Sequence, residues 1–189
     1  MQDLPPITAR PLWVFGYGSL MWNPEFPVAE RRLARLSGFR RSFCMSSIHH
    51  RGTEAEPGLV LALDPAEEGV CDGIAFRVSA GEEAETVAAL RERELVSSAY
   101  LERQLDITLD GEIVVNALTY VVDTAHVQYC GGLSLEAQAG IIAHAVGGRG
   151  PNDEYLVNTA SHLAELGIAD SDLDWLVARV RHLKAETRA

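Results

Sequence analysis

Leu12-Trp13-Val14-Phe15-Gly16-Tyr17-Gly18-Ser19-Leu20 runs from an unbroken apolar stretch into two glycines that bracket a tyrosine. An apolar run closed by glycine and serine reads as a short buried strand that stops in a tight turn. Glycines on either side of an aromatic let the backbone amides turn toward one point and let a ligand approach the main chain closely. Such a loop could hold a carboxylate or a phosphate, and the same residues serve equally as a plain strand-ending turn. The loop lacks the Lys-Ser/Thr of a phosphate-binding P-loop and the third glycine of a dinucleotide fold.

Moving outward, Asn23-Pro24 marks another turn, and β-like runs follow at residues 39–48, 59–63, 74–78, 105–109 and 113–122. Asp110-Gly111 between the last two is a hairpin signal. Helical periodicity enters at residues 82–95 and dominates the C-terminal third, at residues 134–146, 152–166 and 171–184. Ser134, Asn152 and Ser171 stand where N-caps are expected, the last with Asp170 before it. Strands grouped early, one helix inserted among them and helices grouped late predict an α+β fold with a curved or barrel-like sheet, not a regular alternation. We expect one domain over residues 12–184, with a short extension (1–11) and a short tail (185–189).

The chain has 189 residues, 47% of them apolar and 23% charged, the balance of an ordinary globular protein with one core. Its net charge of −11 repels phosphate backbones, and its basic residues form no stripe, so nucleic acid is not an expected partner. Met1-Gln2-Asp3-Leu4-Pro5-Pro6 shows no basic segment followed by an apolar core, and no stretch approaches the roughly 18 apolar residues of a membrane span. A cytoplasmic protein with no membrane partner is expected. Cys44, Cys71 and Cys130 are far apart in sequence, which suggests reduced, mostly buried thiols and neither a disulfide framework nor a zinc site.

Glu94 is the carboxylate that stands out. Val87, Leu90 and Glu94 recur at the helical period, so Glu94 points with the apolar stripe while Glu85 and Glu92 fall on the opposite side. A carboxylate on a buried face is costly unless paired or functional. Desolvation and the C-terminal end of its own helix both raise its pKa toward a value useful for proton transfer. The competing reading is a structural ion pair with Arg91 or Arg93. His49 and His50 are adjacent and would point apart on a strand, and no histidine has ligand partners at metal spacing. Ser19 lacks the G-x-S-x-G elbow of a hydrolase nucleophile.

Taken in order, Phe15 to Leu20 with Met21-Trp22, then His50-Arg51-Gly52-Thr53 with Pro57-Gly58-Leu59-Val60, then Arg93-Glu94 and Tyr100, resemble the ChaC family. Ala117-Leu118-Thr119-Tyr120-Val121 and Asn152 with Tyr155-Leu156 extend the resemblance over residues 12–167. The resemblance implies a small mixed β-barrel flanked by helices and γ-glutamylcyclotransferase activity on glutathione. It also implies that Phe15, Gly16, Tyr17, Gly18, Ser19 and Leu20 form the substrate-holding loop and that Glu94 is the catalytic glutamate. Arg51 and Tyr155 receive no assigned role. Such a reaction uses the substrate's own α-amine as nucleophile, so neither metal nor cofactor is expected. Glu54 stands where many relatives carry proline, which leaves leaving-group specificity open. Other γ-glutamyl amino acids or amines are the alternative substrates, and a non-catalytic binding or regulatory protein is the alternative of a different class.

Overall fold

The computed structural model describes residues 10–95 and 98–187. Two hairpins supply most of the sheet. β2 (Val28–Ser47) and β3 (Gly58–Val78) run antiparallel along nearly their whole length, and β4 (Tyr100–Leu109) pairs with β5 (Ile113–Val122) in the same sense. Asp110 and Gly111 turn the second hairpin with φ of +46° and +82°, the left-handed conformation that an Asp-Gly pair adopts readily. β1 (Trp13–Gly16) lies antiparallel to β3 and parallel to β5, which closes a barrel in the order β1-β3-β2-β4-β5. The expected α+β class, a small mixed barrel flanked by helices, is what the chain forms.

β1 is buried at all four positions because both of its faces are covered. Trp13 and Phe15 join Leu36, Leu63, Ile107, Leu109 and Val121 in one apolar cluster. Val14 points the other way and packs with Val78, Leu90, Leu118 and Tyr120, where helix α1 (Glu83–Glu94) covers the sheet. A strand sandwiched in this way needs apolar side chains in succession, which is the pattern of its sequence.

The first hairpin is longer than the separate runs in the sequence suggest. Residues 39–48, 59–63 and 74–78 are pieces of two strands that continue through Asp64, Pro65, Glu67 and Gly69, residues that by composition read as a turn. Register shifts between Val28 and Glu30, Ser37 and Phe39, and Ser42 and Met45 let so long a ribbon curl. Gly38 occupies the middle shift with φ of +84°. His49 and His50 fall beyond the end of β2, in the loop leading to β3, and are exposed; they do not lie on a strand as expected.

Three helices pack against the outside of this ribbon: α2 (Leu135–His144), α3 (Asn152–Glu165) and α4 (Ser171–Glu186), with the short pair β6 (Val146–Gly147) and β7 (Gly150–Pro151) between the first two. Ile142, Leu156, Leu163, Leu173 and Leu176 meet Phe43, Leu61, Ile74 and Phe76 in the second large cluster. Ser134 caps α2, its hydroxyl accepting from the Ala137 amide at 3.1 Å. The other two expected caps are displaced by one residue. α4 is capped by Asp170, which accepts from the Leu173 amide, so Ser171 is the first helical residue. α3 has Pro151 at its cap position, and Asn152 turns away from the helix end. No helix among the described residues is long and apolar enough to cross a membrane.

Asn152 turns away because it is recruited elsewhere. Its side chain is fully buried, accepts from the Leu59 amide at 2.7 Å and donates to the Leu59 carbonyl at 2.8 Å, behaving as one rung of a β-ladder at the start of β3. The fit also excludes a side chain at Gly58, where a Cβ would lie 2.7 Å from Asn152 Oδ1 and 2.2 Å from the Arg51 carbonyl. Deleting the amide strands two buried backbone groups, at about 1–3 kcal/mol each. Asn152→Ala should therefore lower the unfolding free energy by roughly 2–6 kcal/mol, seen as a lower urea midpoint with an unchanged slope. An unaltered midpoint would mean that Leu59 finds replacement partners.

Candidate active site

The loop after β1 is shaped by its carbonyls. The Phe15 carbonyl accepts from Thr119 Oγ1 at 3.1 Å, the Tyr17 carbonyl from Arg41 Nε at 2.7 Å, and the Gly18 carbonyl from the Met21 amide at 2.9 Å, opening a single 3-10 turn at Ser19–Met21. With these carbonyls engaged, the amides of Gly18, Ser19 and Leu20 have no acceptor among the described residues. The two glycines serve different ends. A Cβ on Gly16 would lie 3.1 Å from Leu20 Cβ and 3.3 Å from the Met21 amide nitrogen, so Gly16 is where the turn packs on itself. A Cβ on Gly18 would meet nothing within 4 Å, so its bare backbone faces open space.

Arg41 supplies most of that shape and was not singled out from sequence. Its side chain is 3% exposed; beyond Tyr17 it reaches the Asp72 carbonyl at 2.5 Å and Asp170 Oδ2 at 2.9 Å. A period-two reading of β2 places Arg41 on the face of Phe39 and Phe43, and a charge at such a position was the available signal.

Glu94 is the last residue of α1, with a side chain 20% exposed, while Glu92 and Glu85 on the other side of the helix are exposed. Leu90, one turn earlier, is buried and Val87 half-buried, so the stripe inferred from the period is present. Burial pushes the Glu94 carboxyl above its ordinary value of 4.5, and the neighbouring Arg93 charge partly opposes this. The carboxyl is both desolvated and paired: Arg93 Nε lies 3.2 Å from Glu94 Oε1, whereas Arg91 pairs with Glu102 on β4.

Four phenols feel the charge of this carboxylate. Tyr17 from the loop, Tyr100 from β4, Tyr155 from α3 and Tyr120 from β5 all have hydroxyls driven above their usual range, by burial first, with the Glu94 charge adding to each. They are therefore protonated donors at any ordinary pH. Tyr100 donates to the Leu61 carbonyl at 3.2 Å and Tyr155 accepts from the Leu61 amide at 3.5 Å, so one residue of β3 holds both rings. Arg51 lies over the Tyr155 ring at 5.4 Å and donates to the Pro151 carbonyl, which brings the Arg-Gly-Thr segment to the same side of the barrel. Glu54 is at the exposed tip of that segment; the loop remains closed by Thr53, whose amide donates to the Glu56 carbonyl and whose hydroxyl accepts from the Glu56 amide. Of the residues between Glu94 and Tyr100, Val96 and Ser97 lie outside the described residues.

The arrangement offers a desolvated carboxyl, a run of amides without acceptors among the described residues, and the phenols of Tyr17 and Tyr155, whose protons are not donated to any of those residues. The sequence model of the family described as ChaC-like protein matches residues 12–183. A glutathione-specific γ-glutamylcyclotransferase of Escherichia coli is 36% identical over 93% of this chain and 75% of its own length. γ-Glutamylcyclotransferase 2-3 of Arabidopsis thaliana is 34% identical over 93% and 92%, and human glutathione-specific γ-glutamylcyclotransferase 1 is 32% identical over 82% and 71%. The crystal structure of a yeast γ-glutamyl cyclotransferase specific to glutathione superposes with a TM-score of 0.81 at 24% identity, covering 92% of this chain and 99% of that one, a likeness of fold. With the family match spanning nearly all described residues and such relatives along the same length, the chain belongs to the ChaC family.

Proposed function

We propose that this chain is a γ-glutamylcyclotransferase that cleaves glutathione to 5-oxoproline and Cys-Gly, with Glu94 as its general base. The observation that carries the reading is a desolvated carboxyl at the end of α1, whose neighbour Arg93 donates to Ser19 of a loop with unpaired amides and whose charge raises the phenols of Tyr17, Tyr100 and Tyr155. Glu94 takes a proton from the substrate's α-ammonium, and the freed amine attacks the γ-carbonyl carbon. The tetrahedral intermediate collapses with cleavage of the γ-amide bond; the proton held by Glu94 and the second proton shed by the ring nitrogen both end on the departing cysteinyl nitrogen, leaving a neutral lactam and the ammonium of Cys-Gly. Closing a five-membered ring is intramolecular, so geometry supplies much of the acceleration and no enzyme nucleophile is needed. A raised carboxyl pKa narrows the gap to the ammonium it must deprotonate.

The loop from Phe15 to Leu20 is the proposed seat of the γ-glutamyl group, held by the amides of Gly18, Ser19 and Leu20. The reading also suits a reducing cytoplasm: burial pushes the Cys44 thiol up to about 12 and the Cys71 thiol up to about 11, which keeps both as unreactive thiols. Purified protein incubated with glutathione should release 5-oxoproline and Cys-Gly at a rate unaffected by EDTA. Release from γ-glutamyl amines or single γ-glutamyl amino acids in preference to glutathione would transfer the assignment to those substrates, and loss of activity in EDTA with recovery on adding zinc or magnesium would refute the cofactor-free route.

Glu94→Gln and Glu92→Gln form a matched pair on one helix. Glu94→Gln should lose on the order of 10²- to 10⁴-fold in turnover, the value of a general base, while Glu92→Gln retains it. Stability moves the other way. A carboxyl whose folded pKa lies above its unfolded one binds its proton more tightly when folded, so it costs stability as pH rises from 4.5 through the raised value. Glu94→Gln should therefore melt higher than the parent at pH 7, with the gain vanishing at pH 4; equal melting at both pH values contradicts the desolvation argument. For the loop, Gly18→Ala should fold and melt like the parent, because its Cβ meets no protein atom, yet raise the KM for glutathione. An unchanged KM would make Gly18 a spacer and not a ligand-facing residue.

A further inference from the structure

Arg93 makes three hydrogen bonds, and none of them goes to the carboxylate beside it. Nη2 donates to Ser19 Oγ at 2.9 Å, and Nη1 donates to the Asn23 carbonyl at 2.7 Å and to Glu25 Oε2 at 2.9 Å. Its Nε stands 3.2 Å from Glu94 Oε1 as an ion pair. In a guanidinium Nε and Nη2 share one edge, so that edge faces the base and the glycine loop together, while Nη1 on the far side is moored to the segment after the 3-10 turn. That segment is itself held in an unusual shape: Glu25 has φ of +60°, and Asn23 Nδ2 donates to Glu25 Oε1 at 3.1 Å.

We propose that Arg93 is a positioning residue that holds the base and the substrate loop in one frame, by spanning Glu94 on helix α1 and Ser19 on the loop after β1. The inference rests on Glu94 and the loop forming the reaction site. Two consequences follow from the geometry. Because the Ser19 oxygen already accepts from Arg93, its own hydrogen is turned away from the guanidinium and is available to an anion lying on the loop amides. Because Arg93 contacts Glu94 without an aligned hydrogen bond, it contributes charge to the carboxylate while leaving its lone pairs free for a substrate proton. The other groups facing Glu94 are Tyr17, Tyr100, Tyr120 and Tyr155, all neutral where a carboxyl titrates, so Arg93 is the charge that opposes desolvation there.

Arg93→Lys and Arg93→Met separate the two contributions. Lysine keeps the charge but, with its donors radiating from one nitrogen on a shorter chain, cannot span Ser19, Asn23 and Glu25 as the guanidinium fork does. Arg93→Lys should raise the KM for glutathione on the order of tenfold, the loss of one charge-assisted hydrogen bond, with the acid limb of the kcat/KM profile where the parent has it. Arg93→Met should show the same KM defect and an acid limb moved to higher pH. The carboxyl titration of Glu94, followed by 13C NMR in substrate-free protein, should shift upward in Arg93→Met and not in Arg93→Lys; this readout stands whichever γ-glutamyl compound the site accepts. Circular dichroism checks that both variants are folded, and Arg93→Lys alone suffices if Arg93→Met is not. A parental KM in Arg93→Lys, or a Glu94 titration indifferent to Arg93→Met, overturns the proposal.

Discussion

One buried guanidinium ties the barrel to its loop and its helices. Arg41 rises from the middle of β2 and distributes its donors over the Tyr17 carbonyl, the Asp72 carbonyl of β3 and the Asp170 carboxylate. Taking a charge out of water costs several kcal/mol unless every donor is met, and here each direction of the fork ends on an acceptor. The acceptors belong to structures that would otherwise have no common reference. The Tyr17 carbonyl sets the direction of the glycine turn, and Asp170 is at the same time the N-cap of α4. An arginine suits this role because its fork is rigid, so placing one bond places the others.

From that anchor the environment of Glu94 follows. Tyr17 follows β1 directly, β3 presents Leu61 between the hydroxyls of Tyr100 and Tyr155, and the end of α1 meets the loop after β1 through Arg93 and Ser19. The result is a carboxylate with few water neighbours and mostly neutral company, which raises its pKa at the expense of the folded state. Such a cost is tolerated because the rest of the core is conventional: close-packed aliphatic and aromatic clusters inside the barrel and under the helices. The single buried side-chain oxygen without a partner among the described residues is Thr86 Oγ1, two turns up the same helix. We have no physical account of that one.

Much of this was legible in the residues. The apolar run of β1, the Asp110-Gly111 turn and the spacing of Leu90 and Glu94 are local patterns, and local patterns survive folding. The ordered blocks from Phe15 to Tyr155 carried the family. What could not be read was whatever depends on a partner distant in sequence. Asn152 looked like a helix cap because the Leu59 backbone it completes is 93 residues away. Asp64 to Gly69 looked like a turn because the opposing strand that keeps it extended is not visible in its own composition. Arg41 and Arg93 are ordinary arginines until the chain returns to meet them, Arg41 to Asp170 and Arg93 to Ser19.

The barrel closes where β1 meets β5, pairing Trp13 with Ala117 and Val14 with Leu118 across a hundred residues of chain. During synthesis, therefore, β1 emerges about a hundred residues before the β5 edge that completes its pairing, and waits for it. Its glycine loop then waits again, for Asp170, before the guanidinium beneath it is fully paired. Contacts of such separation make folding slow and leave little independent structure in an incomplete chain. A nascent chain cut short before α4 could have no fully anchored glycine loop, even though every residue of that loop precedes Asp170 by about 150 positions.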